Sequence, residues 1–208
     1  MAIPVERIQR YTLSEFRGFL ESMVVDISDL AAAYPARPVF RCVLAHLYAG
    51  TGRRAEAQRL LDDLGVDDFA SLPFDQEWLY GMSMLAETAA SLGDVASADH
   101  LYRLLEPWAS RNISDPAEAI RGSAARYLGL LAATAGRWAE AAEHYENALV
   151  ENERMGFRPW LARTQDDFAQ MLRARGELGD EERAAELQTA ALAAYAALGM
   201  KSHRAAPA

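Results

Sequence analysis

The sequence predicts an all-α protein: an α-solenoid of about ten helices packed as consecutive antiparallel pairs, with no β-sheet. Three observations carry this. Alanine is abundant and β-branched residues are few, a composition that favours helix throughout. Glycines recur at Gly18, Gly52, Gly93, Gly136 and Gly179, at spacings of 34, 41, 43 and 43 residues, with Gly176 three residues before the last. An alanine stands five residues after four of them (Ala57, Ala98, Ala141, Ala184). Leu44, Leu85 and Leu128 stand eight residues before three of them, each followed by a small residue, and Phe168-Ala169 hold the same place before Gly176. The third observation is the stretch 127–149, which folds back on itself around Gly136. Gly129 and Ala132 make a small-residue stripe before the turn, and Ala141, Tyr145 and Ala148 share one helical face after it. Two antiparallel helices can then approach closely, with Leu128 and Tyr145 filling beside the contact.

Taken in order, the first unit is the least regular. Residues 3–16 would supply its first helix, although Arg10, Tyr11 and Ser14 stand where other units carry leucine and small residues. Residues 17–34 form an amphipathic helix on Phe19, Leu20, Met23, Ile27 and Leu30, stopped by Pro35. The irregularity fits a terminal cap, or an excerpt cut from something longer, and the reading leans to the second. The next unit pairs 38–49 with 53–64, and Asp67, Asp68 and Pro73 mark the loop that follows. Asp75 is expected to cap a helix reaching Leu92, with Trp78, Leu79, Met82, Leu85 and Ala86 on its apolar face. Residues 96–108 return, with Leu101, Tyr102 and Leu105 inward. Asp115-Pro116-Ala117-Glu118 reads as a helix start, with an N-cap carboxylate and proline at the first helical position. That helix is expected to reach Ala135 and its partner Met155, where Gly156 takes the left-handed position past the end. Pro159 opens a helix to Ala174, Asp180 caps the last, which ends at Gly199, and 201–208 reads as a frayed tail.

Composition narrows the function classes. Half of the 208 residues are apolar and a quarter charged, the balance of a globular domain. The net charge of −9 and pI of about 5.0 argue against direct nucleic-acid binding. Cys42 is the sole cysteine and cannot form an intramolecular disulfide, so a reducing cytoplasm is expected. No apolar run approaches the roughly 20 residues of a membrane span, and no membrane partner is expected.

The glycine, alanine and aromatic offsets after Gly136, with Leu128-Gly129 before it, resemble tetratricopeptide repeats. The first spacing, 34, is that motif's own, and Pro35 falls at its closing proline. Later units are longer and lack the motif's early tryptophan and closing proline. The runs 41–48, 122–132 and 152–162 further resemble the C-terminal helical-repeat region of large bacterial ATP-binding regulators of LuxR or adenylyl-cyclase-associated type. The resemblance covers 30–200. It implies a regulatory, non-catalytic interaction domain of a bacterial transcriptional regulator, without the ATPase or DNA-binding parts, whose motifs this chain lacks.

For chemistry, the residues offer little. Glu140 and His144 lie four apart but have no third ligand in a recognisable motif, and are read as a solvated face. Asp99 and His100 are adjacent and point apart on a helix. Cys42 and His46 are four apart, a spacing for a thiolate–imidazole pair, but read as a buried cysteine near an ordinary histidine. The tryptophans read as packing residues. His203 falls in the tail. No nucleophile elbow, paired-acid motif or cofactor fingerprint appears, so no enzyme activity, cofactor or metal is expected. The tetratricopeptide resemblance implies ligand contacts at first-helix offsets 13, 10, 6 and 3 before each glycine. These are His46; Tyr80, Ser83 and Glu87; Ser123 and Arg126; and Arg163, Asp166, Gln170 and Arg173. The expected partner is a protein or peptide held in this groove, or a small-molecule effector bound there. An open polar trough would favour the first, an enclosed apolar pocket the second. Arg126 and Arg163 offer planar forks for a carboxylate, unless Glu87, Asp166 or Asp167 pair with them internally.

Overall fold

The structure is a computed structural model and describes residues 2–115 and 119–202. Ten α-helices and one two-stranded sheet make up the described chain. The helices are α1 (Ala2–Arg17), α2 (Val24–Ala33), α3 (Val39–Gly50), α4 (Arg54–Gly65), α5 (Trp78–Leu92), α6 (Val95–Leu105), α7 (Ala124–Thr134), α8 (Trp138–Arg154), α9 (Arg158–Arg175) and α10 (Asp180–Leu198). None of them is long and apolar enough to cross a membrane. Helices α3, α5, α7 and α9 contact one another in succession, and α4, α6, α8 and α10 each pack on the helix before.

The α7–α8 turn shows why the small residues recur. A Cβ at Gly129 would stand 3.0 Å from the Tyr145 ring, so that ring lies flat against the α7 backbone. Tyr145 in turn stacks on Phe168 of α9, with ring centroids 5.3 Å apart. Ala141 is fully buried at this contact, whereas Ala139 is exposed. We expect Ala141→Glu to cost about 3 kcal/mol or more, through overpacking and an unpaired buried carboxylate. Ala139→Glu should leave thermal melting nearly unchanged, and equal melting temperatures for the two would contradict this register.

Four local expectations are corrected. Residues 17–34 do not form one helix: the chain turns at Gly18, passes a 3₁₀ turn at Leu20–Met23, and only then enters α2. Asp75 does not cap α5. Its carboxylate accepts the Glu77 N–H at 2.8 Å in the preceding turn, and the helix starts at Trp78. Asp180 is the first residue of α10 and not its cap, and it uses its carboxylate on Arg175 and on the Glu177 N–H.

The largest correction falls before α7, where a helix from Asp115 and the absence of any sheet were expected. Instead β1 (Asn112–Asp115) pairs antiparallel with β2 (Ala119–Ser123), and Ser123 caps α7 by accepting the Ala125 N–H. Residues Pro116, Ala117 and Glu118, which read as a helix start, lie outside the described residues. Ile113 faces Gly122 and Ser114 faces Ile120, so Arg121 is the extra residue of a β-bulge. Gly122 has φ +76°, a value no helix accommodates. The bulge aims Arg121 into the protein, where its side chain is fully buried.

Candidate functional site

Arg121 enters a cluster of charges assembled from five elements. Helix α1 contributes Tyr11 and Glu15, α3 contributes His46, α5 contributes Glu87, α7 contributes Arg126, and α9 contributes Arg163 and Asp167. Arg121 donates through Nη1 to Glu15 Oε2 at 3.1 Å and through Nη2 to Glu87 Oε2. Arg126 reaches Glu87 Oε1 at 2.7 Å, and its Nε donates to Asp167 Oδ2 at 2.9 Å. Arg163 donates through Nη1 to Glu15 Oε1, closing a contact between residues 148 positions apart in the chain. His46 Nε2 lies 3.0 Å from Glu87 Oε2, and its Nδ1 bonds the Tyr11 hydroxyl. Trp160 covers the set: the Cζ atoms of Arg121, Arg126 and Arg163 lie 4.9, 5.6 and 5.2 Å from its ring. The Trp160 indole N–H donates to the Ile120 carbonyl at 2.8 Å, fixing the ring to β2.

Three guanidiniums thus face three carboxylates in a water-poor interior. Burial pushes the Glu15 carboxyl up, but Arg121, Arg163 and His46 outweigh it and hold it at about 2. Burial acts likewise on Glu87, and Arg121 and Arg126 hold it well below the usual carboxylate range. Because both folded values lie below the unfolded glutamate value of about 4.3, the pairs stabilise fully above that pH. Their contribution is lost as pH falls toward the folded value of about 2 at Glu15. Urea melts at a series of pH values should show this acid loss, and Glu15→Gln should flatten it.

Of the residues expected at the groove, His46, Glu87, Arg126 and Arg163 meet here. Ser83 is buried beneath them with its hydroxyl on the Tyr80 carbonyl, and the buried Tyr80 ring lies 5.9 Å from the Arg121 Cζ. Asp166 forms a neighbouring patch, accepting from the Tyr195 hydroxyl, Ser202 and Gln170. Arg173 stands apart at the surface, donating to Glu181 at 3.3 Å. Ser123 is the α7 cap. Both arginines are essentially unexposed and pair internally: Arg126 with Glu87 and Asp167, and Arg163 through Nη1 alone with Glu15, its Nε–Nη2 edge being left without a partner. Glu15 and Arg121 were missed because they lie outside the repeat offsets. Their signal, an isolated acid and an isolated base about a hundred residues apart, has no local pattern.

A cavity of about 490 Å³ opens beside the cluster. Glu15, His46, Glu87, Arg126 and Arg163 form its polar floor, while Leu20, Ala49, Ala90 and Leu130 wall it. Glu15, His46 and Glu87 also bring three ligand atoms within 4.8 Å of one another. A dication fits this trio badly, because Arg121, Arg126 and Arg163 already hold the carboxylates and would repel it. Elsewhere, burial pushes the Cys42 thiol up to about 12 and its Sγ–H donates to the Pro38 carbonyl, which favours the thiol over the thiolate. On the face expected to be solvated, Glu140 is exposed, while His144 is half-buried against the Tyr102 hydroxyl at 2.9 Å. Asp99 pairs with Arg137 and His100 with Asp68. No family model, curated protein or solved structure matches the chain.

Proposed function

We propose that this chain is a non-catalytic, tetratricopeptide-like α-solenoid of antiparallel helix pairs that takes a small-molecule effector among its first helices. The carrying observation is the cavity, whose wall and floor residues come from α1, the 3₁₀ turn after it, α3, α5, α7 and α9. Its volume of about 490 Å³ lies within the range of small-molecule sites, roughly 300–1,000 Å³, and its apolar walls over a few polar groups match their composition. A ligand touching so many elements would tie the N-terminal segment to the α3–α9 row and so change how a neighbouring domain is held. That is the role the resemblance to bacterial transcriptional regulators suggests.

The alternative, a scaffold holding a peptide along the groove, needs an open trough. Helix α1 lies where such a peptide would lie: Tyr11 and Glu15 meet α3, Glu15 meets α9, and Phe16 packs edge-on to Trp160. The Lys201 N–H donates to the Phe16 carbonyl at 2.8 Å, which ties the C-terminal segment to the end of α1.

A thermal-shift screen of the full chain against a panel of small metabolites tests the proposal. An effector present at a hundred times its Kd should add about 2.7 kcal/mol, raising Tm by about 5–10 °C in a chain of this size. Ala90→Trp, which fills the cavity from its α5 wall, should abolish the shift. A panel that leaves wild type unmoved, or moves both proteins equally, rejects the reading.

A further inference from the structure

We infer that the cavity takes a small monocarboxylate, its carboxylate on the Nε–Nη2 edge of the Arg163 guanidinium and its apolar body against the walls. This rests on the effector-cavity reading and names the class of ligand. The first ground is an inventory of the floor. Among the described residues lining the cavity, every buried side-chain polar atom without a hydrogen-bond partner is an arginine nitrogen: Arg126 Nη1 and Nη2, and Arg163 Nε and Nη2. The Arg126 pair are nevertheless held in ion pairs with Glu87 and Asp167 at 2.7 Å, so Arg126 is already engaged. Arg163 engages Glu15 through Nη1, so the Nε–Nη2 edge of its fork is unmatched.

The acceptors are in the opposite condition. Both oxygens of Glu15 and both of Glu87 already take an arginine, and both ring nitrogens of His46 are engaged. A ligand amine would therefore compete with guanidiniums for occupied oxygens. A ligand carboxylate would give the Nε–Nη2 edge of Arg163 the acceptor it lacks, by charge-assisted bonds. Arg163 already holds one carboxylate, that of Glu15, on its Nη1. Above it, Leu20, Ala49, Ala90 and Leu130 offer only hydrocarbon to whatever the carboxylate carries.

Three probes with one apolar body and different heads decide the matter: hexanoate, hexanamide and hexylamine, titrated into the full-length protein by calorimetry. Hexanoate should bind about tenfold or more tighter than either of the others. In an NMR titration it should shift the Arg163 Nε–H resonance. Ala90→Trp and the milder Ala49→Leu, from two different walls, should each weaken hexanoate binding while helicity is retained. Hexylamine or hexanamide binding as tightly as hexanoate overturns the carboxylate assignment, and loss of that binding in Ala90→Trp leaves the cavity reading intact. Hexanoate that fails to bind, or binds wild type and both variants alike, also overturns it. In that case the cavity reading stands only if a compound of the metabolite panel binds wild type and not Ala90→Trp.

Discussion

Arg121→Ala is expected to destabilise the protein by about 3–5 kcal/mol, a large part of the roughly 5–15 kcal/mol that holds a domain together. The substitution removes more than one contact. It strands Glu15 and Glu87, each left with fewer cations in a site from which water is excluded. It also removes a guanidinium that lies between the Tyr80, Tyr127 and Trp160 rings. Adding Glu15→Gln to Arg121→Ala should recover stability, because it neutralises one of the two orphaned carboxylates. Urea melts of the two single variants and the double variant measure the coupling. Simple additivity would show that Arg121 acts by packing alone. Arg154→Ala, which loses only an exposed pair with Glu151, should leave the melt where it is.

Gly122→Ala should be nearly as damaging, for a reason of geometry. At φ +76° an L side chain costs about 1–2 kcal/mol in backbone energy alone. The added Cβ would also stand 2.7 Å from the Trp160 Cβ and 2.7 Å from the Asn152 Oδ1, neither of which is the free end of a flexible chain. Asn152 is held by the Ser123 N–H and Thr164, and Trp160 by the Ile120 carbonyl. Overpacking adds about 1–3 kcal/mol, so the total should reach about 2–5 kcal/mol. Gly136→Ala is the control. Its φ of +74° is similar, but nothing stands within 4 Å of the new atom, so only the backbone cost applies. Equal melting temperatures for the two alanine variants would mean that Trp160 gives way and does not clamp β2.

Both experiments bear on residues that no periodicity announces. Helix content and the positions of most turns are local matters: alanine-rich runs with apolar residues at helical spacing make helices, and glycine ends them. Hence α3, α4, α8, α9 and α10 begin and end within a few residues of where the pattern places them. Gly129 against Tyr145 is legible too, since a small residue at a fixed offset from a turn states how near the facing helix comes. The hairpin before α7 was not legible. Asp115 closes a strand, and an N-cap residue type read from sequence cannot tell a helix start from a strand end. What decides is Gly122, whose positive φ takes the backbone out of a right-handed helix and whose missing side chain admits Trp160.

The sequence by itself determined that the chain is helical and placed most of its helices. It also marked His46, Glu87, Arg126 and Arg163 as residues that a repeat would set on related faces. Only the tertiary structure decided what those residues do. Helix α1 brings Glu15, and the bulge in β2 brings Arg121, into the same dry space, and the resulting pairs bury the arginines that an open groove would have displayed. The physical reason is range. Helix formation is settled by neighbours three and four residues away, whereas a buried charge is tolerable only beside a counter-charge. Here that counter-charge lies as far as 148 positions along the chain, a distance no local pattern encodes.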